Sequence, residues 1–236
     1  MQTKKVLFVL TSANKAANGK ITGQWMEEFA APYYLLSDNG VDITIASPKG
    51  GAITVDPLSL QPQFMAPSVE RILEDKVALN RLQTTLKLED MNDADYDAIY
   101  YPGGHGPMWD LPQNEKSIAL LEAFHNSGRP TALVCHAPAA LENVKDVNGQ
   151  PLVKGKKISA FTNSEEIAGN TTDMVPYMLE DMLIEKGADF VKGPDWLPFS
   201  VQDGNLISGQ NPASAEFVGR KVLAALGIDI ATPQEA

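Results

Sequence analysis

The sequence predicts an α/β fold built on a doubly wound, mostly parallel sheet flanked by helices. Three observations predict it. Short, continuously apolar runs recur along the chain, as strands buried on both faces require. Between them, apolar residues return at three- and four-residue spacing, the period of a helix with one buried face. The two patterns alternate, which is the signature of parallel strands joined by crossover helices.

Residues 6–10 (Val-Leu-Phe-Val-Leu) form the first apolar run. Trp25, Phe29, Tyr33 and Leu36 then share one face of a helix starting near Thr22. Asn39-Gly40 is a helix-stop signal, and Asp42–Ser47 follows as a strand. Residues 50–92 break the rhythm with a Pro-rich loop and a helical stretch around 69–86. They read as an insertion that packs over the sheet edge or the active site. Ala98–Tyr101 runs into Pro-Gly-Gly, and Leu120, Leu121 and Phe124 fit a helix before Gly128. Thr131–Val134 runs into Cys135, and 157–161 is a further strand candidate. Met178, Met182 and Leu183 fit a helix ending at Gly187. Ser200–Asp203 and 206–208 flank Asp203-Gly204 as a hairpin. Phe217, Val218, Val222 and Leu226 fit the last helix. No linker or internal repeat divides the chain, so 1–236 reads as a single domain.

A net charge of −11 argues against nucleic acid or an anionic membrane as the main partner, because both select basic surfaces. No run approaches the roughly 20 apolar residues that span a bilayer. The first apolar run is strand-length and lacks the small-residue cleavage site of a secretory signal. The single cysteine permits no intramolecular disulfide. The expected location is the cytoplasm.

Ligands of doubly wound sheets bind beyond the carboxyl ends of the strands. Two segments fall there. Cys135 directly follows an apolar strand and precedes a plausible helix. A sharp turn would lift its sulfur above the sheet edge. A helix N-terminus and the adjacent His136 would lower the thiol pKa. The alternative is a buried, inert cysteine. Gly103-Gly104-His105-Gly106 also follows a strand, and its backbone N–H groups could meet an oxyanion; the alternative is a tight turn. Neither a P-loop nor a Gly-x-Gly-x-x-Gly after the first strand is present, so no nucleotide cofactor is expected. The histidines at 105, 125 and 136 form no His-x-x-x-His pair, so no metal is expected. His125 reads as a solvent-facing residue late in its helix.

The ordered set of segments resembles the ThiJ/PfpI superfamily, related to class I glutamine amidotransferase domains, and within it the heat-inducible chaperone and glyoxalase III branch. The resemblance rests on Lys-Lys-Val-Leu-Phe-Val-Leu-Thr-Ser, Thr22-Gly23-Gln24-Trp25-Met26-Glu27-Glu28, Asp97 with Pro102-Gly103-Gly104-His105-Gly106, and Val134-Cys135-His136-Ala137-Pro138. It continues through Phe161-Thr162-Asn163-Ser164-Glu165-Glu166 and the stretch 203–214, covering nearly the whole chain. It implies a flavodoxin-like domain with Cys135 as nucleophile, His136 as its partner and Glu166 as the acid of the triad, Glu165 being the reading displaced by one. Glu28 would hydrogen-bond the sulfur. The N–H groups of Gly104 and His136 would hold an oxyanion, with Gly103, His105 and Trp109 around the substrate. Trp25, Met108, Trp109 and Trp196 are either pocket lining or core.

The implied activity is that of a cofactor-independent glyoxalase III, converting methylglyoxal to lactate without glutathione. The same cysteine could serve an amidase, a peptidase, a deglycase-type hydrolase or an isonitrile hydratase. A stress-response holding chaperone or a redox sensor are readings of another kind. The implied partners are a small aldehyde, a second copy in a homodimer and unfolded client proteins. The extra His/Glu metal site of some relatives has no match here. Two physical expectations accompany the roles. Glu28 beside a thiolate is a like-charge pair that would share a proton. Pro32 has no N–H for the carbonyl of Glu28, which predicts a kink or break in that helix.

Overall fold

The computed structural model of the chain describes residues 3–230. The strands, in chain order, are β1 (Lys5–Val9), β2 (Asp42–Ser47), β3 (Leu86–Lys87), β4 (Ala98–Tyr101), β5 (Thr131–Val134), β6 (Lys157–Ile158), β7 (Asp189–Phe190), β8 (Ser200–Asp203) and β9 (Leu206–Gly209). The α-helices are α1 (Met26–Asp38), α2 (Pro67–Glu74), α3 (Lys76–Gln83), α4 (Pro107–Asp110), α5 (Glu115–Asn126), α6 (Asn163–Ala168), α7 (Leu179–Glu185) and α8 (Ala215–Ala225). One seven-stranded sheet has the order β3-β2-β1-β4-β5-β9-β8. It is parallel except for the β8–β9 hairpin.

The period of two along each strand divides the core into two layers. Val6, Phe8, Tyr100, Ala132 and Val134 face a cluster shared with α1 and α8. Leu7, Val9, Ile99, Tyr101 and Leu133 face the other cluster, shared with α5 and α7. The strand order reverses between β1 and β4, which opens the crevice where such sheets bind ligands. The loops after β4 and β5 and the start of α1 lie at that end.

Several elements depart from the sequence expectation. The first helix begins at Met26 rather than near Thr22. Residues 22–25 are instead held extended, with the Gln24 N–H donating to Thr54 O and the Asp56 N–H donating back to Gln24 O. Pro32 does not break α1, which runs on to Asp38. The ring packs against α8, where a Cβ on Gly219 would lie 3.2 Å from Pro32 Cβ. In the candidate 157–161, only Lys157–Ile158 pairs, and it pairs with β7 in a separate two-stranded sheet. Side chains take the place of a ladder to the main sheet: Asp203 accepts from the Lys157 N–H and Ser208 Oγ from the Ser159 N–H. The insertion supplies α2, α3 and the edge strand β3, so it covers both the sheet edge and, through its first turns, the site. His125 is half-buried rather than solvent-facing, and its Nδ1 has no partner. No helix among the described residues is long and apolar enough to cross a membrane.

Candidate active site

Cys135 sits directly after β5 with φ of 60°, a left-handed conformation that is costly for any residue with a Cβ. Two backbone bonds hold it there. Its N–H donates to Gly209 O at 2.9 Å, and its carbonyl accepts from the Phe161 N–H at 3.0 Å. The chain then turns into a 3-10 segment, Ala137–Leu141, rather than an α-helix. The expected N-terminal dipole at the sulfur is therefore short.

Three side chains make a relay behind the sulfur. Cys135 Sγ lies 3.2 Å from His136 Nδ1, and His136 Nε2 lies 2.7 Å from Glu166 Oε2. Glu166 Oε1 meets a second imidazole, His105 Nε2, at 3.3 Å. All three residues of this acid and imidazole group are buried. Burial would raise the Glu166 carboxyl, but His136 and hydrogen bonds from both rings outweigh it and hold the group well below the usual carboxylate range. Burial and the neighbouring His105 ring lower His136 to about 4. Near neutral pH the network thus assigns a neutral His136 that donates Nε2–H to the carboxylate. Its Nδ1 lone pair is left facing the thiol.

Glu28, on the first turn of α1, reaches the same thiol from the other side. It is fully buried, and its Oε2 accepts from the Gly103 N–H at 2.7 Å. Its Oε1 has no nitrogen or oxygen partner. Burial pushes Glu28 well above the usual carboxylate range, against hydrogen bonds from Cys135 and Gly103. Burial also pushes the Cys135 thiol well up, and the Glu28 carboxyl adds to this by charge and by hydrogen bond. The backbone of Gly104, beside the sulfur, pulls the other way. The lowered thiol pKa expected from the sequence is therefore reversed, because desolvation and Glu28 outweigh the short turn and a neutral histidine.

The glycines around this point leave no room for side chains. A Cβ on Gly103 would lie 2.6 Å from Glu28 Oε2 and 3.0 Å from Cys135 Cβ. Gly104 has φ of 94°, and a Cβ there would lie 2.4 Å from Gly23 O. Glu165 does not reach His136. Its Oε2 accepts from Thr162 N and Oγ1, closing a capping box on α6. Its Oε1 accepts from Trp196 N, Gln210 Nε2 and Asn211 Nδ2.

The thiol opens into a cavity of about 260 Å³. Gly104, His105 and His136 line it, as do Trp25 and Trp196. Gly103 and Trp109 do not: Gly103 is spent on Glu28, and Trp109 packs on the apolar layer beneath α4. Met108 is core. Sequence reasoning missed Leu58 and Phe64 on the insertion and Thr171, Asn211 and Pro212 from later loops. Only Asn211 and Pro212, inside a quoted motif, carried any signal. His105, His136 and Glu166 offer ligand atoms within 4.8 Å of one another and could hold a divalent cation. As arranged, Glu166 is shared by the two Nε2 atoms, His136 Nδ1 faces the Cys135 sulfur and His105 Nδ1 has no partner.

The model of the DJ-1/PfpI family matches residues 21–225. Glyoxalase 3 of Candida albicans is 33% identical, covering 94% of this chain and 98% of its own. Glutathione-independent glyoxalase HSP31 of Saccharomyces cerevisiae is 30% identical, covering 96% and 99%. Among solved structures, Rapid Encystment Protein 24 kDa of Francisella tularensis superposes with a TM-score of 0.90 at 36% identity, over 95% of this chain and 99% of its own. Glyoxalase III from Candida albicans gives 0.86 at 31%, over 94% and 97%.

Proposed function

The chain belongs to the DJ-1/PfpI family, and we propose that it is a glutathione-independent glyoxalase, which turns a 2-oxoaldehyde such as methylglyoxal, with water, into the 2-hydroxy acid. The observation that carries this reading is the meeting of two proton carriers, His136 and Glu28, on one buried thiol at a cavity wall. The names of relatives matched over nearly their whole length support it.

We assign the steps as follows. His136 Nδ1 takes the thiol proton, and the sulfur adds to the aldehyde carbon. The resulting oxyanion takes a hydrogen bond from the Gly104 N–H and then the proton held by His136. Bonding of the sulfur removes the negative charge beside Glu28, so Glu28 can ionise. Its raised pKa then makes it a stronger base than an ordinary carboxylate. Glu28 gives its proton to the ketone oxygen and, now a carboxylate, removes the hydrogen of the former aldehyde carbon as a proton, giving an ene-diol; it then delivers that proton to the neighbouring carbon and takes back the hydroxyl proton of the former aldehyde carbon, whose oxygen becomes the thioester carbonyl. One carbon is oxidised to a thioester and the other reduced to a carbinol within the same molecule, so no external oxidant or redox cofactor is required. Water then adds to the thioester with His136 as base, the C–S bond breaks, and the sulfur regains a proton. Glu166 keeps His136 in the required tautomer throughout.

The test is methylglyoxal consumption without glutathione, with lactate as product. Turnover by wild type and none by Cys135→Ser is the expected result; an inert wild type overturns the reading. The same reading takes 1–236 as one cytoplasmic domain that forms a homodimer, which a light-scattering mass of 25.5 kDa would refute. Exposed apolar side chains such as Ile167, Trp196 and Leu197 support a secondary role toward unfolded clients.

A further inference from the structure

Methylglyoxal leaves most of this cavity without a partner. A space of about 260 Å³ holds on the order of nine groups of water size, at roughly 30 Å³ each. Methylglyoxal spends its dicarbonyl at the sulfur, and a single methyl remains to touch the rest. What the rest offers is aromatic. Phe161 lies against His136, with ring centroids 4.4 Å apart, and Trp196 meets Phe161 edge-on at 5.8 Å. An aromatic wall thus runs unbroken from the catalytic base to the half-exposed indole of Trp196. A second aromatic pair, Trp25 with Phe64 at 5.0 Å, adds to the apolar lining, as do Leu58, Pro212 and Ala213. Among the described lining residues no Lys or Arg occurs, and Glu27 is the carboxylate present. A substrate carrying its own negative charge would find no counter-charge here.

We propose that the substrates this site is built for are 2-oxoaldehydes with an uncharged aromatic or bulky apolar substituent, the dicarbonyl at Cys135 and the substituent against the two aromatic pairs. The proposal rests on the glyoxalase reading and deepens it. Offset and edge-to-face ring contacts favour such a substituent beyond simple burial. A single methylene in an apolar pocket already changes kcat/KM by about 10-fold or more.

The experiment compares methylglyoxal, phenylglyoxal, 2-oxopentanal and 4,5-dioxopentanoate on wild type, Trp196→Ala, Phe64→Ala and Glu27→Gln. In wild type, kcat/KM for phenylglyoxal should exceed that for methylglyoxal at least about tenfold, mainly through KM. The phenylglyoxal-to-methylglyoxal ratio should fall about tenfold in Trp196→Ala and also in Phe64→Ala. Phe64 lies on the insertion, away from the hydrogen bonds that hold residue 196, so it guards against local misfolding in the first variant. The anionic 4,5-dioxopentanoate should be a poorer substrate than 2-oxopentanal, and Glu27→Gln should narrow that gap. Equal or better use of methylglyoxal, or a ratio unmoved in both aromatic variants, overturns the proposal while leaving the glyoxalase reading intact. No turnover of any of the four aldehydes overturns both.

Discussion

Replacing Glu28 by Gln should move two observables in opposite directions. The amide keeps the shape of the side chain and an oxygen for the Gly103 N–H, so the loop after β4 stays in place. What is lost is the charge and the proton. Glu28 Oε2 and Cys135 Cβ both lie within 3.0 Å of one point above Gly103, which puts Glu28 Oε2 within about 6 Å of the carbon that carries the sulfur and sets the scale for the separation of the two charges. Two unit charges at about 6 Å, in an effective dielectric of about 20, interact by about 2.8 kcal/mol. That is about a hundredfold in an equilibrium, at 1.4 kcal/mol per tenfold. In molecules whose Glu28 is ionised, loss of the carboxylate should therefore raise the thiolate population, and with it the iodoacetamide alkylation rate, by up to about a hundredfold, an effect that grows as pH rises through the raised Glu28 pKa. Turnover of a 2-oxoaldehyde should fall by about two to four orders of magnitude, since the base for the C–H proton is gone. Alkylation is followed by intact mass and turnover by aldehyde loss on the same preparation. Full turnover in Glu28→Gln would refute its role as base. An alkylation rate that stays level or falls would refute the like-charge coupling.

Four other substitutions or conditions test neighbouring parts of the site. Glu166→Gln should lower turnover by about 10²–10⁴ with little change in melting, because it disturbs the tautomer of His136. Glu165→Gln should chiefly lower stability, by about 1–3 kcal/mol for each donor it leaves unpaired; a reversed pattern in paired melting and kinetic measurements would exchange the two roles. His136 is held at about 4 when folded against 6.5 when free, so the unfolded chain takes up its proton first as pH falls. Its contribution is whole above pH 6.5 and is lost toward pH 4, up to about 3 kcal/mol, and urea midpoints should show this fall in wild type and a flatter one in His136→Gln. Gly104→Ala should cost at least about 1–2 kcal/mol from its left-handed backbone alone, and a thermal melt equal to wild type would refute the steric account.

The long buried strands and amphipathic helices were legible because their patterns are local. β1, β4 and β5 are apolar at nearly every position, and α5 and α8 show their inner faces in the spacing of Leu and Val residues. Of the two-residue strands, β3 and β7 were not legible, since each exists only through its partner, and β6 was legible only as the start of the longer candidate 157–161. Pro32 was a poor guide to the end of α1, which runs on to Asp38 and packs at that proline against α8, far along the chain. In the site, the order of Cys135, His136 and the glycine loop pointed to residues that the fold brings together at one cavity wall, and the resemblance pointed to Glu28, which hydrogen-bonds that loop. The direction of the thiol pKa did not follow, because neighbours in sequence say nothing of desolvation. Glu165 and Glu166 are adjacent and both buried, and only the fold shows which faces an imidazole and which ties down loops.

The hub at Glu165 has a consequence for how this site can diversify. One carboxylate holds the backbone of Trp196 and the side chains of Gln210 and Asn211, and its neighbour on the same turn of α6 holds both histidines. On the proposed mechanism, remodelling of that wall would reach the carboxylate held against His136, so changes of specificity made there would trade against rate. The opposite lining comes from the insertion, through Leu58 and Phe64, and its backbone is joined to the site by the short pairing of Gln24 with residues 54–56. New side chains can be tried on that wall without disturbing the histidines. The insertion is thus the part of the molecule in which descendants of this chain can change diet while leaving the chemistry alone.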